Sequence, residues 1–596
     1  MKKIFYNFLL TSSLSVQAAS LQVDPVVVTS KQNLKTSDIQ SDHFVLTSDQ
    51  LDQIGITTVG QVLATIPGLE LSQTGALGGE STIFIRGLGS GYTLILVNGV
   101  KVFDPTTTNR SFNLSVLNSL NIERVEVLKG NQSVLYGSDA IGGVVNIITR
   151  KGQEQKSYAK VGLGNYELLS VSQNINFESS ILQVGSYYQQ AIGENDVEDG
   201  SEKDKKIIKG YDLSYLWSRG KWSLDSIIKK TNSYFDVDQY DYSLSQTKDD
   251  DQMYNETIHD LYHQKIQYDI SGLNHLTFDL SHQEFFRWNK YLSNSKYSTA
   301  RYMGHIQSLE VRYDERWKNS NFVTGMNMSA ERFKSSSESD QYLSTLELFY
   351  NHKIDFKTLH FEFGTRTISN KDFGDHGIGA ISIKKILTSE FYVRSSYKTG
   401  FKSPSLYQQK AESGGNENLT PEKSETLELG FGKNSEIWSY GSTFFYTHIN
   451  NQIDYTDKYV NIDKTISRGV ELSSLYKWST VNLNSSLTLL NLAEIDGKEQ
   501  VRRPDLSMTQ ALDWSFSSSD AVGVRWRYIG RRFDNKGLSE QVEMNAYSLA
   551  DLSYRHFIGN GKISIQLNNL FDQQYEHARG YRTLGTNLQV DFVYNY

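Results

Sequence analysis

The last ten residues alternate between apolar and polar side chains, and this alternation constrains the fold more than any other feature. The segment reads NLQVDFVYNY (587–596), in which every second residue is Leu, Val, Phe or Tyr. Successive side chains of a strand point to opposite faces, so the pattern predicts a strand with one apolar face. Similar segments recur from about residue 153 onward, such as YAKVGLG (158–164), WSYGSTFFYTHI (438–449) and KISIQLNNL (562–570).

The composition indicates what these apolar faces contact. Hydrophobic residues make up only 38% of the 596 residues and the mean hydropathy is -0.47, yet aromatic residues reach 12%. A transmembrane β-barrel has a polar interior and aromatic side chains at both membrane interfaces, which fits these values. After the first residues, the sequence contains no run of 18 uncharged apolar residues, so no transmembrane helix is predicted. We therefore expect the apolar faces to contact lipid.

The charge and the cysteine content argue against several classes of protein. The formal net charge of -8 argues against a nucleic-acid partner, which needs basic patches. Cysteine is absent, which excludes disulfides, thiolate metal sites and cysteine nucleophiles. Since no set of nucleophile, base and acid stands out, we do not expect an enzyme.

The chain begins with the pattern of a secretory signal peptide. Lys2 and Lys3 precede a short apolar run, and the sequence VQA ending at Ala18 fits a cleavage site, which predicts a signal peptide over residues 1–18. The apolar run is too short to span a membrane. We expect the mature protein to be exported into a Gram-negative cell envelope.

Residues 31–152 predict an α/β domain. The segment TTVGQVLATIPGLEL (57–71) has apolar residues at helical spacing and stops at a Pro-Gly pair, which predicts a short helix. Glycine-bounded runs that resemble strands follow: STIFIRG (81–87), TLILVNG (93–99), IERVEVLKG (122–130) and GVVNIITRK (143–151).

Residues 153–596 predict a transmembrane β-barrel. Tight turns such as SRGKW (218–222) alternate with long polar loops such as 191–207 and 241–256, as in barrels of the outer membrane. About 440 residues, at about 20 per strand and connection, give about 22 antiparallel strands. So wide a lumen leaks unless it is filled, and the N-terminal α/β domain is the expected plug. On pattern alone, a large secreted β-protein such as a propeller is the alternative, although no blade-length repeat is visible.

Several motifs together resemble those of one family, the TonB-dependent outer-membrane transporters. DPVVVTS (24–30) resembles their TonB box, and Tyr596 matches their usual terminal aromatic residue. The plug motifs that carry the resemblance are IFIRG (83–87), LVNGV (96–100), IERVEVLKG (122–130) and YGSDAIGGVVNIITRKG (136–152). The barrel motifs are LTPEKSETLELGF (419–431), SRGVEL (467–472) and LNNLFDQQYE (567–576).

This resemblance implies active import across the outer membrane, with lipid around the barrel. TonB, energised by an inner-membrane complex, is the expected partner, and it would bind a periplasmic segment (19–30) by strand addition. The TonB box within that segment consists of Asp24, Pro25, Val26, Val27, Val28, Thr29 and Ser30. The alternative is that the three valines form the first strand of the plug. A periplasmic binding protein is a further expected partner.

The resemblance also implies charged contacts between plug and barrel. The plug residues Arg86 and Arg124 are expected to meet the barrel residues Glu428 and Glu471 and to act as a latch that holds the plug in register. Breaking one partner of a buried ion pair is costly, and the rigid fork of arginine suits such pairing. A solvated surface pair without a role is the alternative.

Within the family, the chain resembles the cobalamin (vitamin B12) receptors through residues 67–87 and 136–148. Cobalamin or another corrinoid is therefore the expected ligand. The ligand contacts of those receptors fall here on Glu80, Thr82, Gly89, Thr107, Thr108 and Arg502. Ordinary loop polarity is the alternative reading of these residues. A ferric siderophore or haem is the alternative ligand, with haem disfavoured because no histidine lies between residues 405 and 416. An adhesive barrel without transport is a third hypothesis.

Two acidic loops are candidates for metal binding, and no other cofactor is expected. They read AIGENDVEDGSEKD (191–204) and FDVDQYDY (235–242), and clustered carboxylates suit calcium. The resemblance places Asp196, Asp236 and Asp241 at comparable positions. Since Lys209 stands at another ligand position, solvated loop charge is the alternative. HDLYH (259–263) is rejected as a zinc pair, because residues four apart on a strand are about 13 Å apart.

Overall fold

Two structural units follow each other along the computed structural model of this chain: an N-terminal α/β domain, called the plug, and a β-barrel around it. The structure describes residues 26–27, 34–35, 41–48, 50–51, 58–75, 79–117, 121–151, 157–192, 204–241, 246–248, 250, 252–293, 296–337, 340–411, 414–492, 500–536 and 540–596. The predicted signal peptide lies outside these residues. The predicted boundary between plug and barrel, at residues 152/153, also lies outside the described residues.

The described part of the plug combines short strands with short helices. A separate pair of strands, β1 (Val26–Val27) and β2 (Leu34–Lys35), precedes its main sheet. The other strands are β3 (His43–Thr47), β4 (Leu69–Gln73), β5 (Ser81–Ile85), β6 (Thr93–Val97), β7 (Val100–Val102), β8 (Ile122–Lys129) and β9 (Gly143–Thr149). Its helices are α1 (Val59–Leu63) and α2 (Ser133–Tyr136), with 3-10 turns at Ser90–Tyr92 and Leu114–Val116. The four strand-like runs of the sequence correspond to β5, β6, β8 and β9, which confirms that prediction.

A five-stranded sheet in the order β3-β8-β9-β6-β7 is the centre of the plug, and β4 pairs with β5 beside it. Within the larger sheet, β6 and β9 run parallel and the other pairs are antiparallel. The predicted helix forms α1, and the Thr58 side chain caps it by accepting a hydrogen bond from the Gln61 backbone N–H. The plug core continues into the barrel wall, because Phe285 and Ile306 belong to the same cluster of buried side chains as Leu63.

Twenty-two antiparallel strands of the described chain close into a barrel, as predicted. The barrel strands are β10 (Tyr158–Gly164), β11 (Glu167–Asn176), β12 (Ser180–Ile192), β13 (Lys205–Arg219), β14 (Trp222–Asp236), β17 (Tyr254–Asp269), β18 (His275–Ser293), β19 (Lys296–Trp317), β20 (Ser320–Ser335), β21 (Gln341–Phe356), β22 (Leu359–Asn370), β23 (Gly374–Ile386), β24 (Phe391–Lys402), β25 (Glu422–Lys433), β26 (Trp438–Tyr455), β27 (Tyr459–Trp478), β28 (Val481–Leu492), β29 (Leu506–Ser515), β30 (Asp520–Ile529), β33 (Tyr547–Ile558), β34 (Gly561–Asn568) and β35 (Asn587–Asn595).

Short elements decorate the connections between barrel strands. The hairpins are β15 (Gln239–Asp241) with β16 (Gln246–Lys248), and β31 (Arg532–Lys536) with β32 (Glu540–Met544). The helix α3 (Leu406–Lys410) follows β24 and begins with a capping box, in which Ser405 and Gln408 bond each other's backbone N–H. None of the helices in the described part of the chain has the length and apolarity needed to cross a membrane.

The first and last barrel strands close the ring. β10 pairs with β35 in antiparallel register, from Tyr158 opposite Asn595 to Gly164 opposite Gln589. The Tyr596 N–H donates to the Ser157 carbonyl oxygen (2.8 Å). A closed ring satisfies the backbone groups of every barrel strand, which a lipid environment requires.

The apolar face of the last strand points away from the lumen. Phe592 and Tyr594 are exposed on the outside of the barrel, whereas Gln589 and Asp591 are buried inside. The alternation in the sequence therefore separates a lipid-facing side from a polar, plug-facing side, as predicted.

The two ends of the barrel differ in the length of their connections. Turns such as 220–221 and 357–358 lie at the end where the chain terminates, and we call this the short-turn end. The opposite, long-loop end carries connections such as 403–421 and 569–586. In barrels of this kind, the long loops face the exterior of the cell.

Candidate functional site

A network of charged groups centred on Arg86 joins the plug to the barrel wall. Arg86 directly follows β5, and its Nε and Nη2 donate to Oε1 (3.1 Å) and Oε2 (3.0 Å) of Glu471 on β27. Its Nη1 donates to Oε1 of Glu428 on β25. The planar guanidinium fits a carboxylate in this two-bond geometry. The structure thus brings together three of the four residues that the sequence analysis expected to meet.

Three further charged groups complete the network around this pair. Asp42 accepts a hydrogen bond from Arg86 Nη2 (2.7 Å), and Lys129 Nζ donates to Glu471 Oε2 (2.8 Å). Arg394 on β24 lies 3.2 Å from Asp42 Oδ1 through its Nη2. Burial raises the pKa of Asp42, but the positive charges of its three neighbours outweigh burial and hold this pKa well below the usual value. Three carboxylates therefore face these three cations in a largely buried cluster, and Lys398 on β24 adds a further positive charge near Glu428.

Arg124, the other arginine expected in this network, lies elsewhere, and that expectation was wrong. Its Nε donates to Glu126 Oε1 (2.8 Å) and its Nη1 to Glu123 Oε1 (2.6 Å). Glu126 is two residues away on β8, so it shares a face of the strand with Arg124 and competes for its guanidinium. Among the described residues, Lys129 at the end of β8 is the plug cation that joins Arg86 on Glu471.

A second charged network, which the sequence analysis missed, ties the plug to the barrel at the long-loop end. Arg110 Nε donates to Glu331 Oε2 (3.0 Å) on β20, and its Nη1 donates to the Ser403 carbonyl oxygen (3.1 Å). Lys402 at the end of β24 donates to Asp139 Oδ1 (2.7 Å) of the plug. Asp139 lies in the plug motif 136–152, but the motif does not indicate a charged partner for it, and that partner, Lys402, lies more than 200 positions away in sequence.

A third contact runs from the barrel into the plug. Arg366 on β22 is almost fully buried and donates to the carbonyl oxygens of Val134 (2.8 Å) and Leu135 (2.6 Å) in α2. Its Nη1 also donates to Glu347 Oε2 (2.7 Å) on β21. Together the three contacts attach the plug to the strands β20–β22, β24, β25 and β27.

The predicted ligand residues of the plug lie on segments that meet the long-loop end. Thr108 is exposed, and its carbonyl oxygen accepts a hydrogen bond from Ser405 Oγ (2.6 Å) at the start of α3. Thr107 is half-buried and donates through Oγ1 to the Asp104 carbonyl oxygen (2.9 Å). Glu80 is exposed in the turn between β4 and β5.

Two more predicted ligand residues, Thr82 on β5 and Gly89 after it, are half-buried. A Cβ atom on Gly89 would lie 3.2 Å from Nη2 of Arg503, so the plug and the barrel loop approach closely there. Arg503 Nε donates to the Gly87 carbonyl oxygen (2.6 Å), and its guanidinium lies 4.6 Å from the centre of the Phe84 ring. Burial lowers the pKa of Arg503 to about 10.

Arg502, the ligand residue predicted on the barrel side, contacts Asp534 rather than the plug. Its Nε donates to Asp534 Oδ2 (2.8 Å) on β31, and its side chain remains 31% exposed. The neighbouring Arg503, which the sequence analysis overlooked, is the residue that contacts the plug. Adjacent arginines in RRP (502–504) have no sequence difference that predicts which one contacts which partner.

Family models cover both units of this architecture. The model for the TonB-dependent Receptor Plug Domain matches residues 35–144, and the model for the TonB dependent receptor-like β-barrel matches residues 150–570. The chain is a TonB-dependent receptor. Proteins of this family lie in the outer membrane, so the long-loop end of the receptor faces outward and the short-turn end faces the periplasm.

Curated relatives and solved structures resemble the receptor over nearly its whole length. The Vitamin B12 transporter BtuB of Vibrio cholerae serotype O1 is 27% identical, and the alignment covers 96% of the receptor and 95% of BtuB. The siderophore receptor PirA from Acinetobacter baumannii has a TM-score of 0.79 at 17% identity, covering 94% of the receptor and 99% of PirA. The ferric-catecholate import receptor Fiu from E. coli K12 has a TM-score of 0.81 at 14% identity, covering 96% and 99%. The two solved structures support the fold alone.

The receptor's predicted TonB box lies mostly outside the described residues. Of its seven residues, Val26 and Val27 form β1, which pairs with β2 through Val26 opposite Lys35 and Val27 opposite Leu34. Asp24, Pro25, Val28, Thr29 and Ser30 are not described. The backbone at the centre of the box is thus extended and paired with a neighbouring strand.

The predicted calcium ligands of the receptor are only partly described. Asp236 lies at the end of β14, where its two carboxylate oxygens accept from the Tyr234 hydroxyl (2.8 Å) and the Lys205 N–H (2.8 Å). Asp241 belongs to β15, but only its backbone is described, and Asp196 lies outside the described residues. Calcium binding therefore stays a prediction.

The histidines of HDLYH lie on a strand, which confirms the reason for rejecting them as a zinc pair. His259 and His263 are both in β17 and both buried. The His259 ring stacks on Phe285 with 4.2 Å between ring centres, and His263 Nε2 lies 3.0 Å from Asp279 Oδ1.

Proposed function

We propose that the receptor imports cobalamin, or a closely related corrinoid, into the periplasm with energy from TonB. The observation that carries this proposal is the likeness to a vitamin B12 transporter along 96% of the chain. Since the likeness includes the plug as well as the barrel, it extends to the segments that would contact the ligand.

The outward surface of the plug supports a large polar ligand. Glu80 and Thr108 are exposed there, and Thr82, Gly89 and Thr107 are half-buried. Hydroxyl groups and exposed backbone donate and accept hydrogen bonds, which suits the many amide groups on the rim of a corrinoid.

The adjacent residues Arg502 and Arg503, which lie beside these plug residues, have different roles in this proposal. Arg502 has one edge of its guanidinium engaged with Asp534, and its partial exposure leaves the other edge accessible to a ligand. Arg503 holds the plug at the Gly87 carbonyl oxygen and positions the segment that carries Gly89. In this proposal Arg502 contacts ligand and Arg503 orders the plug surface.

Energy coupling acts through the N-terminal segment in this proposal. TonB adds as a strand to the TonB box, where backbone hydrogen bonds supply the affinity. Because Val26 and Val27 pair with residues of β2, TonB competes with β2 for the same backbone groups. Force on the box then passes to the plug, which is held by the charged networks described above.

The network around Arg86 serves as the latch in this mechanism. It lies between the plug and two barrel strands and is buried, so the plug leaves its position only when these ion pairs separate. Separation exposes charges that must be rehydrated or paired again, which makes the plugged state the resting state without applied force.

The ligand proposal is tested by binding measurements on purified receptor in detergent micelles. Cyanocobalamin, a ferric catecholate siderophore and haem are compared by equilibrium dialysis. We expect saturable binding of cyanocobalamin with a Kd at least 100-fold below that of the other two. Tighter binding of the ferric siderophore would replace cobalamin by the siderophore as ligand.

A pair of tryptophan variants locates the binding surface. Thr108→Trp places a bulky ring at the exposed plug surface and is expected to weaken cyanocobalamin binding at least tenfold. Thr480→Trp is the control, because Thr480 is exposed in a turn at the opposite end of the barrel. Equal binding by the two variants would contradict a ligand site on the outward face of the plug.

A further inference from the structure

Three side chains of metal-ligating type meet on the outer surface of the barrel, on the opposite side of the wall from the plug. His282 and Glu284 are two residues apart on β18 and share a face of that strand. The strand register places His305 of β19 directly opposite Glu284. This face points outward, because Tyr262, which lies opposite His282 on β17, is exposed on the outside of the barrel.

The ligand atoms of the three side chains are already close together. His282 Nε2 lies 3.1 Å and His305 Nδ1 3.5 Å from Glu284 Oε1, and the three atoms lie within 4.8 Å of one another. A tetrahedral zinc ion with bonds of about 2.0–2.2 Å holds its ligand atoms about 3.3–3.5 Å apart. The spacing therefore needs only a small adjustment of side chains to hold an ion.

The kind and number of ligands select a metal class. Two imidazoles and one carboxylate suit zinc and neighbouring divalent transition metals, whereas calcium and magnesium prefer oxygen ligands alone. The side chains of His282, Glu284 and His305 are 34%, 30% and 19% exposed. Their cross-strand neighbours Asp260 and Arg332 are charged, which the hydrocarbon of a bilayer disfavours, so this part of the wall lies beyond the lipid and an ion can reach the three side chains. Three protein ligands leave a coordination position open on the outward side.

The surrounding charges favour a cation. Opposite His305 lies Arg332 on β20, but Asp340 neutralises it at 2.7 Å from Nη2. Opposite Glu284 lies Asp260 on β17, which is paired with Lys230. The charges of Arg332 and Asp260 are therefore neutralised by their own partners. Glu284 then gives the cluster a net negative charge when its two histidines are neutral.

Neighbouring side chains also support the two imidazole rings. Gln307 lies opposite His282 on β19, and its Nε2 is 3.4 Å from His282 Nδ1. When Nε2 of His282 binds a metal, Nδ1 carries the proton, and a reversed Gln307 amide presents its oxygen to accept it. The ring of Phe286 meets His305 edge-on at 6.2 Å.

We propose that His282, Glu284 and His305 form an open binding site for a divalent transition-metal ion of the zinc class on the outer face of the barrel. The site is separate from ligand import. The ion links β18 to β19 across their register, so its binding stabilises this part of the wall against unfolding.

Metal binding by the intact receptor tests this proposal. Purified, chelator-treated receptor in detergent micelles is dialysed against Zn²⁺, and bound metal is quantified by mass spectrometry. We expect one equivalent of Zn²⁺ at micromolar concentration, no competition from a hundredfold excess of Mg²⁺, and a higher Tm in Zn²⁺. Binding of less than a tenth of an equivalent at 100 μM Zn²⁺ would overturn the site.

Paired variants assign the bound metal to these residues. The double variant His282→Ala, His305→Ala is expected to raise the Kd for Zn²⁺ at least tenfold and to lose the rise in Tm. The double variant His352→Ala, His556→Ala is the control, because each of these histidines bonds other partners on the barrel wall. Folding of each variant is verified beforehand by its heat-modifiable migration in gels. Undiminished binding by the His282, His305 variant would refute the assignment.

Discussion

Arg86 of the plug donates two near-parallel hydrogen bonds, of 3.1 and 3.0 Å, to Glu471 of the barrel, although the two residues are 385 positions apart in sequence. Both side chains are almost fully excluded from solvent. Removing one partner leaves the network with an uncompensated buried charge, although Arg86 keeps Glu428 and Asp42 and Glu471 keeps Lys129. Breaking a buried ion pair in this way typically costs about 3–5 kcal/mol. A single substitution at either residue is therefore expected to weaken the attachment of the plug while the barrel itself stays intact.

Glu471→Ala is expected to loosen the plug by about 3–5 kcal/mol while the barrel stays closed. Arg86 and Lys129 then lose a shared partner, so the plug becomes accessible to protease and the receptor conducts ions in planar bilayers. Glu167→Ala is the control, since Glu167 is exposed on β11. If Glu471→Ala shows the same proteolysis pattern and the same conductance as the unaltered receptor, the hypothesis that this network is a latch is wrong.

Glu70 gives the interface between plug and barrel a dependence on pH. Burial raises the pKa of this plug carboxyl to about 7, against the opposing effect of Ser507 and Arg527 on the barrel. The unfolded-state pKa is about 4.3, so between about pH 4.3 and pH 7 the folded receptor binds more protons than the unfolded chain. The contribution of Glu70 to stability therefore falls as pH rises through this window, by at most about 4 kcal/mol. Burial lowers the pKa of His43 to about 4, which acts in the opposite direction, because the unfolded chain then binds more protons at this histidine than the folded receptor does.

Thermal unfolding at pH 5 and pH 7.5 measures this effect. Glu70→Gln is expected to raise the Tm at pH 7.5 relative to the Tm at pH 5, compared with the unaltered receptor, because glutamine has no proton to release. The low pKa of Asp42 does not interfere, since its stabilising effect is lost only as pH falls below about 3.9. The same pH dependence in Glu70→Gln as in the unaltered receptor would assign it to another group.

Val27→Pro is expected to abolish uptake and to leave ligand binding intact. Proline removes the backbone N–H that strand pairing with TonB needs, at the centre of the proposed box. Uptake of labelled ligand into cells and binding to purified receptor are measured in parallel. Val27→Thr is the control, because threonine keeps the extended backbone and its N–H. Normal uptake by the proline variant would show that the box lies elsewhere.

Arg366→Met is expected to destabilise the receptor by about 3–5 kcal/mol in denaturant unfolding. The loss leaves Glu347 as a buried charge without its cation and two carbonyl oxygens of α2 without their donor. Arg468→Met is the matched control, since Arg468 is exposed on β27 and its Nε donates to the side-chain oxygen of Asn491 on β28 rather than to a carboxylate or to the plug. Similar unfolding midpoints for the two variants would contradict this assignment.

The sequence predicts the architecture well because the architecture depends on local patterns. Period-two alternation, as in residues 587–596, determines which side of each strand faces lipid, and turn lengths reveal the two ends. Glycine-bounded runs identified four plug strands, and apolar residues at helical spacing before a Pro-Gly pair identified α1. Each of these features is specified within about ten residues of sequence.

Contacts between distant segments were predicted less well, because strand register is not encoded locally. Arg86 was found only through motif resemblance, and the same reasoning wrongly gave Arg124 a barrel partner. Lys129 was overlooked although it lies in the same motif as Arg124, IERVEVLKG (122–130), just before a glycine. The cluster of His282, Glu284 and His305 was missed because its members meet only through the pairing of β18 with β19. By contrast, the two histidines of HDLYH (259–263) were considered as a zinc pair only because of their spacing in the sequence.

The pairing of β10 with β35 also sets the last step in closing the barrel. Tyr158 and Asn595 face each other across this seam, and all the other described barrel strands lie between them in sequence. Until the seam forms, the wall has two unpaired edges, which expose backbone groups to pairing with other chains. Loss of β35 would leave β10 and β34 as such edges, so the seam makes closure of the wall an all-or-none event.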